Sequence, residues 1–263
     1  ICTWPDIRVD NKENINLQSA HWPGICALAE RAWCGGDADG DALPIDLPVK
    51  ETEAARAYSL FEQRMDAIRR TSLRGQAFPF RPESGIRWTI IYPVPSENAE
   101  VVRADILSGC WHECPYREAR GASLYFRTKS STGGLGMFPD ARPGVTTWAI
   151  AEVDAESDGP QPFKLGFDAP ARSSRRFSGV PEAGEWSACG TKIWVNGELI
   201  RNPRTYKLAG KNRFENDTWG TPANELPIEN EEIWWAQEPT MLPLRKGRNT
   251  IIIEQPYIGE FQT

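Results

Sequence analysis

The spacing of the apolar residues changes near Gly75, and this change restricts the fold of the chain more than any other feature. On the amino-terminal side, apolar residues recur every three or four positions, as on one face of a helix. On the carboxyl-terminal side, short β-branched and aromatic stretches are separated by turn residues, as in an all-β domain. We therefore predict a helical part over residues 1–75 and a β-sandwich domain over residues 80–263, a division that 263 residues can support.

Two helices are predicted in the first part, over residues 23–33 and 51–70, because each range carries one apolar stripe. Pro23 suits the first turn of a helix and Gly35 suits a helix end. The stripe of the first helix, which should be buried, consists of Ile25, Leu28, Ala29, Ala32 and Trp33. The stripe of the second consists of Ala54, Tyr58, Phe61, Met65 and Ile68. So small a piece cannot bury both stripes; either the sandwich covers them, or they belong to a fold whose remainder is missing.

Short strands joined by regular turns are predicted after Gly75, and this pattern indicates a sandwich. They cover residues 86–94, 101–107, 122–128, 146–153, 163–167, 192–195 and 249–254. Asn196 and Gly197 are a strong signal for a hairpin turn, since apolar pairs flank them on both sides.

Composition and charge exclude some classes of function. The formal net charge of −6 argues against nucleic-acid binding, which normally requires a basic face. No apolar run has the length of a membrane span, so none is expected. Six cysteines in a chain of this length do not define a disulfide framework, and buried free thiols are the default interpretation.

Two groups of residues carry weak metal signals. The alternating acids Asp37, Asp39 and Asp41 fit a calcium loop only in part, and a solvated acidic loop is the alternative that we favour. Cys110, His112 and Cys114 would share one face of a strand, but zinc normally needs four ligands and no second pair is evident. We therefore expect no metal and no cofactor.

Two sequence patterns lie at the start of the chain. The first contains Trp4 and Asp6, and the second is the helix from Trp22 and Pro23 through Ala27, Leu28, Ala29 and Glu30 to Trp33. Together they resemble the last strand and last helix of the barrel in family 20 glycoside hydrolases, the β-N-acetylhexosaminidases. Glu30 itself is expected to pair with an arginine or cap the helix rather than to catalyse.

The second half carries further similarity. It resembles the galactose-binding-like jelly roll that follows the barrel in some bacterial members. The residues that carry this likeness are Gly166, Phe167, Asp168, Gly184, Glu185, Trp186, Ile193, Trp194, Val195, Asn196, Gly197, Leu244, Gly247, Asn249 and Thr250. The resemblance implies an α+β fragment, in which the end of a (β/α)8 barrel precedes an all-β jelly-roll sandwich.

The resemblance also implies a function and a site. Trp4 would line the pocket of the terminal N-acetylhexosamine, and Asp6 would replace the family's glutamate, which binds sugar hydroxyls. Hydrolysis in this family is substrate-assisted. It needs an Asp-Glu acid pair that is absent from this chain and expected upstream, so no catalytic residue is assigned here. The implied partners are a glycan and the upstream part of the same barrel, and the implied location is the bacterial periplasm or exterior.

Two other functions stay open for the sandwich. It could bind glycans, for which the adjacent Trp234 and Trp235 are candidates, or it could only support the barrel. Adjacent strand residues point to opposite faces, so packing is the more frequent role for such a pair. No strand shows a cluster of aromatic and carboxylate residues that must converge, and this favours structural support.

Overall fold

The fold is mixed α and β. Among the described residues it consists of a mostly antiparallel sheet and few helices. The structure is a computed structural model. It describes residues 22, 24–35, 50–76, 78, 82, 86–121, 124, 142–165, 182–187, 189–204 and 238–257. Among these residues, no helix has the length and the apolar character that crossing a bilayer would require.

The two predicted helices are confirmed as α1, Gly24–Cys34, and α2, Glu53–Arg70. Thr52 caps α2, because its hydroxyl accepts a hydrogen bond from the backbone N–H of Ala55 at 3.1 Å. Gly35 has φ of 69°, a conformation that favours glycine after a helix end.

The central part of the α2 stripe is buried as predicted. Met65 and Phe78 form a small apolar cluster together with partly buried neighbours. These neighbours are Trp22, Cys26, Phe61, Ile68 and Leu73. The rings of Trp22 and Phe78 stack with centroids 6.4 Å apart, which fixes the start of α1 beside α2.

The α1 stripe is largely uncovered among the described residues. Leu28 is 52% exposed and Trp33 is 92% exposed, and Ala29 and Ala32 are exposed as well. The reason is that α1 meets α2 through Cys26 and Glu30, which lie on another side of the helix.

Six strands form one sheet in which every neighbouring pair is antiparallel, in the order β2-β1-β3-β8-β5-β6. Their bounds are β1 Arg87–Pro95, β2 Tyr116–Arg120, β3 Val145–Ala155, β5 Lys192–Val195, β6 Glu198–Ile200 and β8 Gly247–Tyr257. Two further strands, β4 Gly159–Phe163 and β7 Thr240–Leu244, pair with each other in a second, two-stranded sheet.

Strands β3 and β8 are the centre of the large sheet. They pair along their whole length, from Val145 opposite Tyr257 to Ala155 opposite Gly247. Beyond this pairing the chain continues directly into β4, and β7 leads directly into β8. The β4–β7 pair therefore lies over one face of the large sheet, where Leu242 and Leu244 enter the main apolar cluster.

The other face is covered by helix α3, Ala99–Leu107. Side chains alternate between the two faces along a strand. Ala149 and Ile251 accordingly face the β4–β7 pair, whereas Ile150 and Ile252 pack beneath α3. Because both faces are covered, every residue of β3 from Val145 to Ala151 is buried.

Two of the predicted strands need correction. Residues 101–107 form a helix, because Ala99, Val102 and Ile106 recur at helical spacing, and a short apolar run does not by itself distinguish the two structures. Of the strand predicted at 163–167, only Phe163 lies in a strand, because β4 ends there and residues 164 and 165 follow outside it, while residues 166 and 167 lie outside the described residues. The strand predicted at 122–128 stays a prediction, because only Leu124 of that run lies among the described residues.

The remaining strand predictions are confirmed. β1, β3, β5 and β8 all occupy the predicted positions within a few residues, and the hairpin at Asn196 and Gly197 joins β5 to β6. The antiparallel sheet agrees with the prediction that the second part of the chain is rich in β-structure. The boundary between residues 75 and 80 stays a prediction, as do the barrel and the jelly roll.

Candidate functional site

The residues predicted to bind sugar, Trp4 and Asp6, lie outside the described residues. So do the acidic loop with Asp37, Asp39 and Asp41, and the pair Trp234 and Trp235. The polar clusters of the described residues are therefore the places where chemistry can be assessed.

Glu30 of α1 is paired as expected. Its carboxylate accepts a hydrogen bond from Arg64 Nε at 3.0 Å and a second contact from Arg64 Nη2. Both side chains are partly exposed. This pair joins α1 to α2.

A carboxylate, two cations and two indoles converge beneath α3, and we call them the Glu254 cluster: Arg103, Trp148, Lys192, Trp194 and Glu254. Glu254 is only 2% exposed. Its two oxygens accept from Arg103 Nε at 2.6 Å and Arg103 Nη2 at 2.8 Å. Trp148 Nε1 donates to it at 3.0 Å, and Lys192 Nζ lies 3.6 Å away.

Sheet register explains why these groups meet. Glu254 is directly opposite Trp148 on β3 and Lys192 on β5, so all three side chains leave the same face of the sheet. Trp194 follows Lys192 by two positions and shares that face. The guanidinium carbon of Arg103 lies 5.9 Å from the Trp194 ring centroid, at cation–π distance.

The electrostatics of the cluster favour the charged form of Arg103. The hydrogen bond to Glu254 raises the pKa of Arg103, although burial acts in the opposite direction. With both carboxylate oxygens bonded and both indoles buried, the cluster offers no acid or sugar-stacking surface to a substrate in this arrangement. What it can do is fix α3 to the sheet.

This convergence was missed from sequence alone. Arg103 and Glu254 are 151 residues apart, and residues 101–107 were assigned to a strand. One signal was available: a glutamate directly after three isoleucines on β8 demands a partner when it is buried.

Motifs from the family resemblance meet at one end of the sheet. Asn196 Nδ2 donates to Asn249 Oδ1 at 2.8 Å, and the Thr250 backbone N–H donates to Asn196 Oδ1 at 3.0 Å. Asn249 Nδ2 donates to the carbonyl oxygens of Arg245 at 2.7 Å and Gly247 at 2.8 Å. These contacts join the β5–β6 turn to the β7–β8 turn, and all the amide groups are used within the protein.

Trp186, from another of these motifs, has a packing role. It is buried, and its Nε1–H donates to the carbonyl oxygen of Ile200 on β6 at 2.7 Å. Asn202 N donates to the Gly184 carbonyl oxygen at 3.0 Å, which holds the same two segments together. The motif thus secures the edge of the sheet.

The Cys110, His112 and Cys114 group lies on a 3-10 turn, Trp111–Glu113, rather than on a strand. Among the described residues no group of three or more metal-ligand side chains is found, and the described cysteines are free thiols. Burial raises the pKa of the Cys114 thiol, and the charges of Asp105 and Glu113 add to this effect.

An aromatic group at the surface lies beside that turn. The His112 ring is 5.2 Å from the Trp111 ring and 6.2 Å from the Tyr116 ring, measured between centroids. His112 is exposed and Tyr116 is 42% exposed, whereas Trp111 packs partly under α3. His112 and Tyr116 thus form an exposed aromatic surface beside the turn.

Comparison of the chain with protein-family models, curated proteins and solved structures finds no match. A functional proposal must therefore be supported by residue patterns and by the geometry of the described elements.

Proposed function

We propose that the chain is the C-terminal part of a family 20 glycoside hydrolase, with the end of a (β/α)8 barrel followed by a galactose-binding-like jelly roll. The enzyme removes terminal non-reducing N-acetylhexosamine from glycans by substrate-assisted, retaining hydrolysis without a cofactor. The Asp-Glu acid pair belongs to an upstream part of the same barrel. The site of action is the bacterial periplasm or exterior.

The single observation that supports this proposal most is the exposed apolar side of α1. Leu28 and Trp33 belong to the stretch that resembles the last barrel helix, and both are largely exposed. Helices of a (β/α)8 barrel cover the strands with such a stripe. An apolar face of this kind, without cover in the described structure, has the chemistry of a barrel helix.

In this proposal Trp4 and Asp6 bind the terminal sugar. The Trp4 indole forms part of an aromatic wall, and the Asp6 carboxylate accepts hydrogen bonds from sugar hydroxyls. Aspartate is one methylene shorter than glutamate, so the contact needs a closer backbone or a bridging water.

The test compares a polypeptide that contains the whole barrel with the present chain, using a chromogenic N-acetyl-β-glucosaminide. We expect turnover by the longer protein and none by the present chain. Asp6→Ala in the longer protein should lower kcat/KM about 10- to 100-fold, the size expected for a lost hydrogen bond to a charged group. Glu30→Gln is the matched control and should leave kcat/KM unchanged, because Glu30 pairs with Arg64.

Turnover by the present chain would contradict the assignment of the acid pair to another segment. Absence of activity in the longer protein, with a folded barrel, would refute the glycosidase proposal itself.

A second candidate is glycan binding by the sandwich. The exposed rings of His112 and Tyr116, with the partly buried Trp111 beside them, favour it, because aromatic rings stack on sugar faces. Calorimetry with N-acetylglucosamine oligomers tests it, and Tyr116→Ala should abolish the binding heat. Tyr92→Ala is the matched control, since Tyr92 is similarly exposed at 44%. A flat titration with the unsubstituted chain would leave support of the barrel as the role of the sandwich.

A further inference from the structure

We infer that α3 is a latched helix, which the Arg103–Glu254 ion pair holds on the sheet and which can detach while the sheet stays folded. This inference concerns a conformational device and does not rest on the glycosidase proposal.

Helix α3 is too short to be stable in isolation. It has nine residues, Ala99–Leu107, whereas isolated helices below about 12 residues are marginal in water. Its N-cap residue, Asn98, makes no side-chain capping bond, and its last turn contains no basic residue. The helix therefore depends on contacts with the sheet.

The apolar part of that contact comes from one side of the helix. Ala99 and Ile106 are buried against the sheet, while Val102 and Leu107 are buried only in part. Val101 is exposed. These residues cover Trp148, Ile150, Trp194 and Ile252 of the sheet, and the Arg103–Glu254 ion pair adds a directional link to this apolar contact.

The ion pair has the geometry of a latch. Both oxygens of Glu254 are bound by the two nitrogens of the Arg103 fork, an arrangement with strict orientation. Glu254 belongs to the central strand β8, whereas Arg103 comes from the covering helix. The pair thus connects the short covering helix with a strand that is paired along its whole length.

Release of the helix does not strand a buried charge. Glu254 keeps the Trp148 Nε1–H and the Lys192 ammonium, which both come from the sheet. Arg103, already partly exposed, becomes solvated when α3 leaves. Because both charges stay satisfied, the open state avoids the usual cost of breaking a buried pair.

Hydrogen exchange of the full chain, followed residue by residue, tests the latch. In Glu254→Gln the carboxylate is replaced by an amide. The NH2 group of this amide faces the N–H donors of Arg103 and cannot accept from them. We expect exchange of the amides of residues 103–107 to accelerate at least about tenfold, while the paired amides of β3 and β8 keep their rates. Glu152→Gln is the matched control, because Glu152 lies on β3 but is exposed.

Arg103→Met is a second variant that removes the fork and leaves Glu254 with its sheet partners, so it keeps the test valid if Glu254→Gln fails to fold. It should accelerate the same amides. Unchanged α3 exchange in a folded variant would overturn the inference. Equal acceleration in α3, β3 and β8 would overturn it too, because the pair would then belong to the global core.

Discussion

Several buried polar side chains of this protein are fully used as structural connectors, and Asn249 is the clearest example at the scale of single residues. Its amide accepts from Asn196 Nδ2 and the Arg245 backbone N–H, both at 2.8 Å, and donates to two carbonyl oxygens. A buried polar group is tolerated when it is bonded in this way. The Asn249 side chain thus links the β5–β6 turn to the β7–β8 turn by hydrogen bonds.

Replacing Asn249 with alanine should lower the free energy of unfolding by about 3 kcal/mol, since several hydrogen bonds are lost and their partners stay buried. Urea denaturation followed by circular dichroism measures this. Arg248→Ala serves as the control and should change stability by less than about 0.5 kcal/mol, because its ion pair with Glu152 is exposed. Equal losses for the two variants would contradict the role assigned to Asn249.

At the scale of elements, the hairpin between β5 and β6 is determined locally. Asn196 has φ of 53° and Gly197 has φ of 84°, the two positive values that a type I′ turn requires. The turn matches the twist of the strands, and its sequence alone identified it. Helix α3 is the opposite case, because its apolar run suits a strand or a helix equally well.

Gly197→Ala should destabilise the chain by about 1 kcal/mol, because alanine resists a positive φ. Nothing lies within 4 Å of an added Cβ at this position, so the cost comes from backbone conformation and not from a clash. Thermal or urea unfolding measures it, with Glu198→Ala in the same hairpin as the control. A neutral Gly197→Ala variant would show that the turn relaxes to another type.

At the scale of the whole molecule, the described residues contain separate apolar clusters. Residues of the helices α1 and α2 surround Met65 and Phe78, whereas the clusters of the sheet involve residues 88–257. The sheet buries both of its faces, but α1 leaves Leu28 and Trp33 exposed. The proposed barrel would supply the missing cover.

The Trp33→Ala variant tests whether the Trp33 side chain packs against a barrel in the longer protein. In the present chain it should change stability by less than about 0.5 kcal/mol, because the side chain is 92% exposed. In a longer protein with the whole barrel it should cost about 3 kcal/mol, the usual loss for a large buried aromatic. Melting temperatures of the variant and the unsubstituted protein, compared at both chain lengths, measure this. A small effect at both lengths would contradict the proposal that α1 packs against the barrel.

The sequence by itself determined the features that depend on neighbours in the chain. Helical periodicity placed α1 and α2, turn chemistry placed the hairpin at Asn196, and β-branched runs placed β1, β3, β5 and β8. These signals are local, because helix faces, strand faces and turn conformations depend on residues a few positions apart.

Only the tertiary structure decided which faces are covered and which polar groups meet. The apolar stripe of α1 does not specify what covers it, and the apolar run at 101–107 does not specify whether a strand or a helix forms. Arg103 and Glu254 carry no sequence signal of their partnership, since sheet register and helix docking bring them together over 151 residues. Contacts at that distance are set by the packing of whole elements, which local patterns do not encode.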